Sequence, residues 1–325
     1  MVSRLLSNTS AQLVISSLIV VGMLGCIFTP NYFLFKMGAN YAVHITVFYL
    51  FLGILFLSLS QPRLTFISFA CCAGMCLFLK YSANAELKLP EIVDTEVSFK
   101  VAHFNLASSQ GSFEKLIQVI KNTNADIISL QEVTPDWQEV IQKEFAVDYP
   151  FSSCIVRSDP FGLAIFSKHP LRLDTFLFEG LPNLAGSFKP DPVSPDISFI
   201  ASYITPPLYS QAYEQFKNHL RAISNYALEN SIPPILTIGD YQVPAWWNEI
   251  QGFRAVLQLD DSRRSASVSQ TGIFATPVDY IFHSPKLRCV DFIEINLKGG
   301  GHVGIMGTYQ FNPIVSNAQA TTGQF

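Results

Sequence analysis

Charged side chains are scarce: Asp, Glu, Lys and Arg make up 14% of the 325 residues, against about 25% in an ordinary soluble domain. Cysteine is thin as well, at 6, and glycine reaches only 18. Those low counts exclude a disulfide scaffold and a collagen-like repeat. Disorder is excluded by the opposite observation, a hydrophobic share of 49%. A formal net charge of −4 offers no general attraction for nucleic acid, which is disfavoured as a partner. The only local basic groups of note are Arg263 with Arg264 and Lys286 with Arg288. Phosphate chemistry would therefore rest on a local site or a bound cation. Length alone suggests about two domains.

The missing charge is missing from the front. No residue between Arg4 and Lys36 is charged, and Leu13 to Phe28 is almost wholly apolar. Tyr41 to Ser60 approaches the roughly 20 residues that cross about 30 Å of hydrocarbon, and it reads as the clearest span. Leu64 to Leu79 is shorter and needs Arg63 and Lys80 to snorkel to the interfaces. A buried core helix is its alternative. A cleaved signal peptide explains the first run but not the next two. Residues 1–85 are thus expected to be a multi-pass membrane region with about three transmembrane helices, the bilayer being a partner. Arg4 and Arg63 fall on one side and Lys36, Lys80 and Lys88 on the other, so the positive-inside comparison is nearly a tie. Three spans with a cytoplasmic N-terminus place the rest of the chain outside the cytoplasm. Cys26, Cys71, Cys72 and Cys76 fall in the spans, and Cys154 and Cys289 read as buried free thiols rather than a bridge.

Residues 91–311 have the size of one α/β domain, and residues 312–325 read as a disordered tail. Val97 to Leu106 reads as a strand, followed by a helix capped by Ser112 with Phe113, Leu116, Ile117 and Ile120 on one face. Ile127 to Leu130 reads as a buried strand, and a helix starts at Thr134 with Pro135 in its first position. Further strands are expected at Phe161 to Ser167, Ile197 to Ile204, Pro234 to Asp240, Pro277 to His283, Leu287 to Ile295 and within Gly299 to Phe311. A long helix is expected from Ser210 to Glu229, and a Trp-containing one near Ala245 to Ile250.

Polar residues recur where these strands stop: Asn105, Glu132, Asp240, Asp279 and His302. A sheet fixes the backbone while side chains at its ends project into the rim, which is where sites collect. A carboxylate and a carboxamide there suit Mg²⁺, a hard cation that keeps several waters. An Asp beside a His orients the imidazole for phosphate contact or proton transfer. Each residue singly also has a bland reading, as a turn residue, an exposed carboxylate, a Gly-Asp turn, a satisfied buried acid or a loop histidine.

The order of the surrounding words carries more. VAHFNLASS, ADIISLQEV, FGLAIFSKHPL, ILTIGDYQ, PVDYIFHSPKL and GGGHVGIMGTYQF together resemble the endonuclease/exonuclease/phosphatase superfamily, the DNase I-like proteins, in its bacterial membrane-anchored branch. The resemblance implies a four-layer α/β/β/α sandwich with a metal site at one rim. By that resemblance Asn105 and Glu132 would bind Mg²⁺ or Mn²⁺. Asp240, with Gln242 two residues on, would position or deprotonate the attacking water, and Asp279 and His302 would contact the scissile phosphate. The pattern departs in three places. Gln242 stands where the family has Asn, Gly301 where it has an acid, and Tyr203 and Thr205 lie where a central histidine is expected. The function implied is a membrane-anchored metal-dependent phosphodiesterase or phosphatase-type hydrolase of reduced activity, acting on a phosphate ester. The alternative is an inactive pseudoenzyme that serves as a membrane-tethered binding domain. Trp246, Trp247 and Phe253 would form an interfacial edge near the site, or simply pack a helix on the sheet.

Overall fold

A computed structural model of the chain describes residues 8–29, 33–83, 89–94, 96–109, 113–231, 234–263, 276–297 and 301–312. The expected Ser112 cap and the tail from 313 onward lie outside the described residues. The N-terminal part is helical: α1 (Thr9–Phe28), α2 (Phe33–Asn40), α3 (Ala42–Ser58) and α4 (Pro62–Ala83). Asn8 caps α1 by accepting the Ser10 N–H at 2.9 Å. Ser60, at φ 54°, turns the chain out of α3, and Pro62 then starts α4, where its missing N–H costs nothing. The Tyr41 to Ser60 run consequently yields a helix of 17 residues, about 26 Å long at 1.5 Å per residue and short of the hydrocarbon thickness. The Leu64 to Leu79 run lies inside a helix of 22 residues. Among the described residues two helices, α1 and α4, are long and apolar enough to cross a membrane. Of the three expected spans, two therefore correspond to helices of spanning length, while the middle run gives the shorter apolar helix α3, because the turn at Leu59 to Gln61 takes up its end.

Two six-stranded mixed sheets form the rest. The first has the order β11 (Leu287–Asn296), β12 (His302–Phe311), β1 (Ser98–Asn105), β2 (Ile127–Gln131), β4 (Leu163–Ser167), β3 (Phe151–Ile155). The second runs β5 (Leu171–Phe178), β6 (Leu181–Phe188), β7 (Ile197–Tyr203), β8 (Ile235–Asp240), β10 (Asp279–His283), β9 (Asp260–Asp261). Within them β1 pairs β2 and β7 pairs β8 in parallel. The hairpin β5–β6 turns through Glu179 and Gly180, both at positive φ, the conformation a two-residue hairpin loop demands.

Period-two alternation gives each sheet two apolar faces. Phe99, Val101, Ile127 and Ile165 of the first sheet meet Leu184, Phe199, Ala201 and Ile238 of the second. The other face of the first sheet carries α5 (Phe113–Thr123) and α6 (Pro135–Phe145) through Leu116, Ile120, Ile141 and Phe145. Thr134 caps α6 and Pro135 opens it. The other face of the second sheet carries α7 (Ser210–Asn230) and α8 (Asn248–Leu257). Burial of one such large apolar side chain contributes about 1.5–3 kcal/mol. Ala39, Ala42 and Met75 of the N-terminal helices join this last cluster. Trp246, Trp247 and Phe253 are buried in it as well, so they pack the fold and form no exposed edge.

Gly239 holds β7 against β8 just before the rim. Its φ is 152°, and a Cβ there would stand 1.9 Å from the Ser202 carbonyl oxygen. Gly239→Ala is expected to cost about 2–4 kcal/mol, since backbone must shift to admit the methyl. Thermal unfolding checks this, and an unchanged midpoint would contradict it.

Candidate active site

Strand direction brings the polar residues together. Asn105 ends β1 opposite Gln131, the last residue of β2. Tyr203 ends β7 opposite Asp240, the last residue of β8. Asp240 is in turn paired with Asp279, the first residue of the antiparallel β10. His302 opens β12, which runs antiparallel to β1. Four strands therefore finish, and two begin, along one rim. Alternation sets the side-chain direction. Val101, Ala201, Ile238 and Ile281 point into the space between the sheets, so Asn105, Tyr203, Asp240 and Asp279, each two or four residues away, share that face.

Two contacts define the site. Asn105 Nδ2 donates to Glu132 Oε1 at 2.9 Å, while Asn105 Oδ1 accepts the Ala107 N–H at 3.0 Å. His302 Nε2 lies 2.6 Å from Asp279 Oδ2. Asp240 Oδ1 accepts the Gln242 N–H at 3.0 Å, which ties the loop back to the strand. Glu132, immediately beyond β2, and Gln242, two residues beyond the end of β8, have φ of 60° and 61°. Non-glycine residues held in that region cost on the order of 1–3 kcal/mol each, and such strain clusters at working sites.

The electrostatics separate the carboxylates. Burial pushes Asp240 up to about 7, with the negative charges of Asp279 and Glu132 adding to it. Burial acts on Asp279 in the same direction, but the hydrogen bond and charge of His302, with Arg263, outweigh it and hold this acid at about 2. Burial works to lower His302, yet Asp279 and Glu294 raise it above the ordinary imidazole value. Burial brings His103, two residues before Asn105, down to about 4. Tyr203 is raised by burial and by Glu132 and Asp240, with its hydroxyl hydrogen-bonded to Glu132.

The pair titrates in a definite window. Asp279, depressed on folding, contributes stability that is complete above its unfolded value near 4 and is lost as pH falls toward about 2. His302, raised on folding, contributes stability that is complete below about 6.5 and is lost as pH rises through its folded value. The destabilisation caused by His302→Ala is therefore expected to be largest between about pH 4 and 6.5. Thermal unfolding of both proteins against pH checks this, and a pH-independent difference would contradict it.

The structure brings Asn105 to Glu132, and Asp279 to His302, along the rim that also holds Asp240 and Gln242. Gln242 meets Asp240 through its backbone N–H. Gly301, at φ 114°, brings no acid. Sequence reasoning missed what stands nearby. Arg263 Nη2 lies 3.1 Å from Asp279 Oδ1, and Arg263 Nη1 pairs with Glu294 Oε1. Arg263, read as a local surface charge, is thus an enclosed bridge, stacked on the Phe292 ring at 5.1 Å. Glu294 projects from β11, and its second oxygen, Oε2, is buried with no hydrogen-bond partner among the described residues. Its place in a strand reading LRCVDFIEIN gave no sign of this, because only the β11–β12 register carries it to the rim.

The donor set fits a divalent cation of the Mg²⁺ type. Such an ion is commonly held by one or two carboxylates, with amide oxygens and waters completing its shell. Glu132 supplies the carboxylate, and Asn105 a carboxamide beside it that would have to turn its oxygen from the Ala107 N–H toward the ion. Among the described residues no cluster of three or more His, Cys, Asp or Glu side chains suitable for a metal occurs, so the fit is to a lightly liganded ion and not to a closed cage.

A family model described as Endonuclease/Exonuclease/phosphatase family matches residues 102–300. Among solved structures, the chain is similar to an endonuclease/exonuclease/phosphatase from Beutenbergia cavernae, at 15% identity and a TM-score of 0.55, over 66% of this chain and 72% of that one. A second, from Bacteroides vulgatus, is 14% identical with a TM-score of 0.54, over 67% and 100%. A humanized D. rerio TDP2 is 14% identical with a TM-score of 0.51, over 66% and 99%. No curated protein matches the sequence. At these identities the solved structures show a common fold.

Proposed function

We propose, since the chain belongs to the endonuclease/exonuclease/phosphatase family, that it is a membrane-tethered, Mg²⁺-dependent hydrolase of phosphate esters, with phosphodiesters its substrate class. The observation that carries this reading is the placing of the Asp279–His302 pair and the Asn105–Glu132 pair at one rim. Glu132 and Asn105 would hold the cation, which when bound neutralises phosphate charge and polarises a P–O bond. Asp240 orients the attacking water and accepts its proton, a task suited to a carboxyl whose affinity for protons lies near neutrality. His302, kept protonated by Asp279, donates to a non-bridging phosphate oxygen. Asp279, bound to one ring nitrogen, orients the imidazolium so that the N–H of its other nitrogen is the one available to the phosphate. The apolar helices α1 and α4 support attachment to a bilayer, with the domain held on one side of it.

Gln242 lengthens the family's amide by one methylene and sits at φ 61°, where asparagine is better tolerated. Gln242→Asn is expected to raise kcat by about tenfold if this amide aids the transition state, with an unchanged or slightly higher unfolding temperature. Turnover of bis(p-nitrophenyl) phosphate with Mg²⁺ measures it, and a fall in rate would contradict the assignment. A second reading, a binding domain without turnover, is favoured by one observation. Arg263 occupies Asp279 and Glu294 together, which engages acids a catalytic rim would use freely. Binding of a phosphodiester without its hydrolysis, by protein otherwise folded, would select that reading.

A further inference from the structure

Lys36 is wholly enclosed, with no exposed side-chain surface. It belongs to α2, yet its ammonium lies 2.9 Å and 3.0 Å from the two carboxylate oxygens of Glu249, at the start of α8 and 213 residues away. The ring of Trp247 stands 5.8 Å from Lys36 Nζ and that of Tyr213 stands 6.0 Å away. The Tyr213 hydroxyl donates to the same carboxylate. Two further contacts cross the joint. Trp246 Nε1 donates to the Ala39 carbonyl at 2.7 Å, and Gln251 Nε2 donates to the Ser82 carbonyl at 2.6 Å. The ends of α2 and α4 are therefore both fastened to the segment 246–251.

That segment is the far end of the loop leaving Asp240. It runs from Tyr241 through Gln242 and turns at Pro244, whose carbonyl accepts the Trp247 N–H at 3.1 Å. On its other side the Tyr280 hydroxyl, one residue from Asp279, lies between the Pro277 carbonyl at 2.7 Å and the Val243 carbonyl at 3.1 Å, its one hydrogen shared between them. The loop is held between β10 and the N-terminal helices. A buried lysine is costly unless paired, and losing one partner strands the other charge inside the protein. The enclosure of Lys36 against Glu249 makes the joint rigid in a way an apolar contact between two helical surfaces would not.

We propose that Lys36 is a positioning residue for the candidate site: through Glu249 it pins the start of α8 and so fixes the Tyr241–Trp247 loop that carries Gln242 beside Asp240. The N-terminal helices then serve as part of the site's framework as well as a tether. The effect on catalysis rests on the hydrolase reading, whereas the effect on the loop does not.

The test uses the full chain in detergent micelles, comparing wild type with Lys36→Met, Lys36→Arg and the double variant Lys36→Met/Glu249→Gln. Amide hydrogen exchange is followed in the segment 241–251 and, as an internal reference, in β1 and β2. Lys36→Met is expected to speed exchange in 241–251 by about two orders of magnitude, as breaking one half of a buried pair implies, with β1 and β2 unchanged. For hydrolysis, kcat is expected to fall by about 10- to 100-fold through misplacement of the loop, with KM nearly constant. The double variant, which buries no stranded charge, is expected to recover the unfolding temperature but not kcat or loop protection. Lys36→Arg keeps the charge in the wrong shape and is expected to fall between, which keeps the test usable where Lys36→Met does not fold. Unchanged exchange in 241–251, or a double variant restored in stability, protection and kcat together, would overturn the proposal and reduce the joint to packing. If wild type lacks hydrolysis while the loop loosens as expected, the hydrolase reading fails and the positioning of the loop stands.

Discussion

Glu132→Gln is expected to lower phosphodiester hydrolysis by about 10³-fold or more at low millimolar Mg²⁺, without unfolding the protein. The side-chain length is preserved and an oxygen remains to accept from Asn105 Nδ2, which lies 2.9 Å from Oε1 of the carboxylate. What disappears is the negative charge that a hard cation needs. The loss should therefore be partly recovered by raising the Mg²⁺ concentration, which separates a binding defect from a collapsed site. The replacement also leaves the left-handed backbone at φ 60° in place, so the conformational strain does not change. Rates measured across a Mg²⁺ titration check the prediction, and equal rates for the two proteins would contradict it.

Asp240→Asn is expected to act in opposite directions on activity and on stability. Hydrolysis should fall by about 10²–10⁴-fold, the usual contribution of a positioned base. Stability in the absence of metal should rise at alkaline pH. The Asp240 carboxyl, pushed up to about 7 by burial first and by Asp279 next, binds its proton more tightly when folded. Folded protein thus loses stability as pH climbs from the unfolded value near 4 through about 7, where a buried anion must form beside another. Asparagine mimics the neutral acid and escapes this. The unfolding midpoint of the variant is expected to exceed wild type by about 5–10 °C at pH 8, and to match it near pH 4. Equal midpoints at pH 8 would show that the carboxyl is not destabilised by its surroundings.

The sheet architecture was legible in the sequence because its buried strands are short apolar runs ending on distinctive polar residues. ILTIGD and PVDYIFH each announce a strand and place an acid at one end, and the register Asp279 opposite Asp240 follows once the two pair antiparallel. Strands at the margin were harder to see. β5 is exposed along most of its length, with Arg172, Asp174 and Thr175 interrupting its apolar residues. β3 reads FSSCI and has no strong alternation. The helical boundaries near the N-terminus were misjudged for a physical reason: hydropathy sees the composition of Leu59 and Ser60, not the positive φ that ends α3 there.

The site was half legible. Asn105, Glu132, Asp240, Asp279 and His302 announced themselves by position at strand ends. Arg263 and Glu294 did not, since Arg263 becomes relevant only through its tertiary pairing with Asp279, and Glu294 only through its pairing with Arg263. Lys36 was read as a flanking charge at a membrane surface, whereas it is enclosed by a domain more than two hundred residues further along. Local sequence carries no information about such a partner. The two tryptophans after Gln242 make the same point, because both are buried, Trp246 bonded to Ala39 of the N-terminal helices and Trp247 packed on Tyr213 and Phe216 of α7.

The most direct measurement is the hydrolysis of bis(p-nitrophenyl) phosphate by the full chain in detergent micelles, with Mg²⁺ and after its removal by chelation, beside Glu132→Gln. Turnover that requires Mg²⁺, returns when the ion is restored and collapses in the variant is the predicted result. Absence of turnover from folded wild-type protein with Mg²⁺ or Mn²⁺ present, or turnover indifferent to both chelation and Glu132→Gln, would contradict the account.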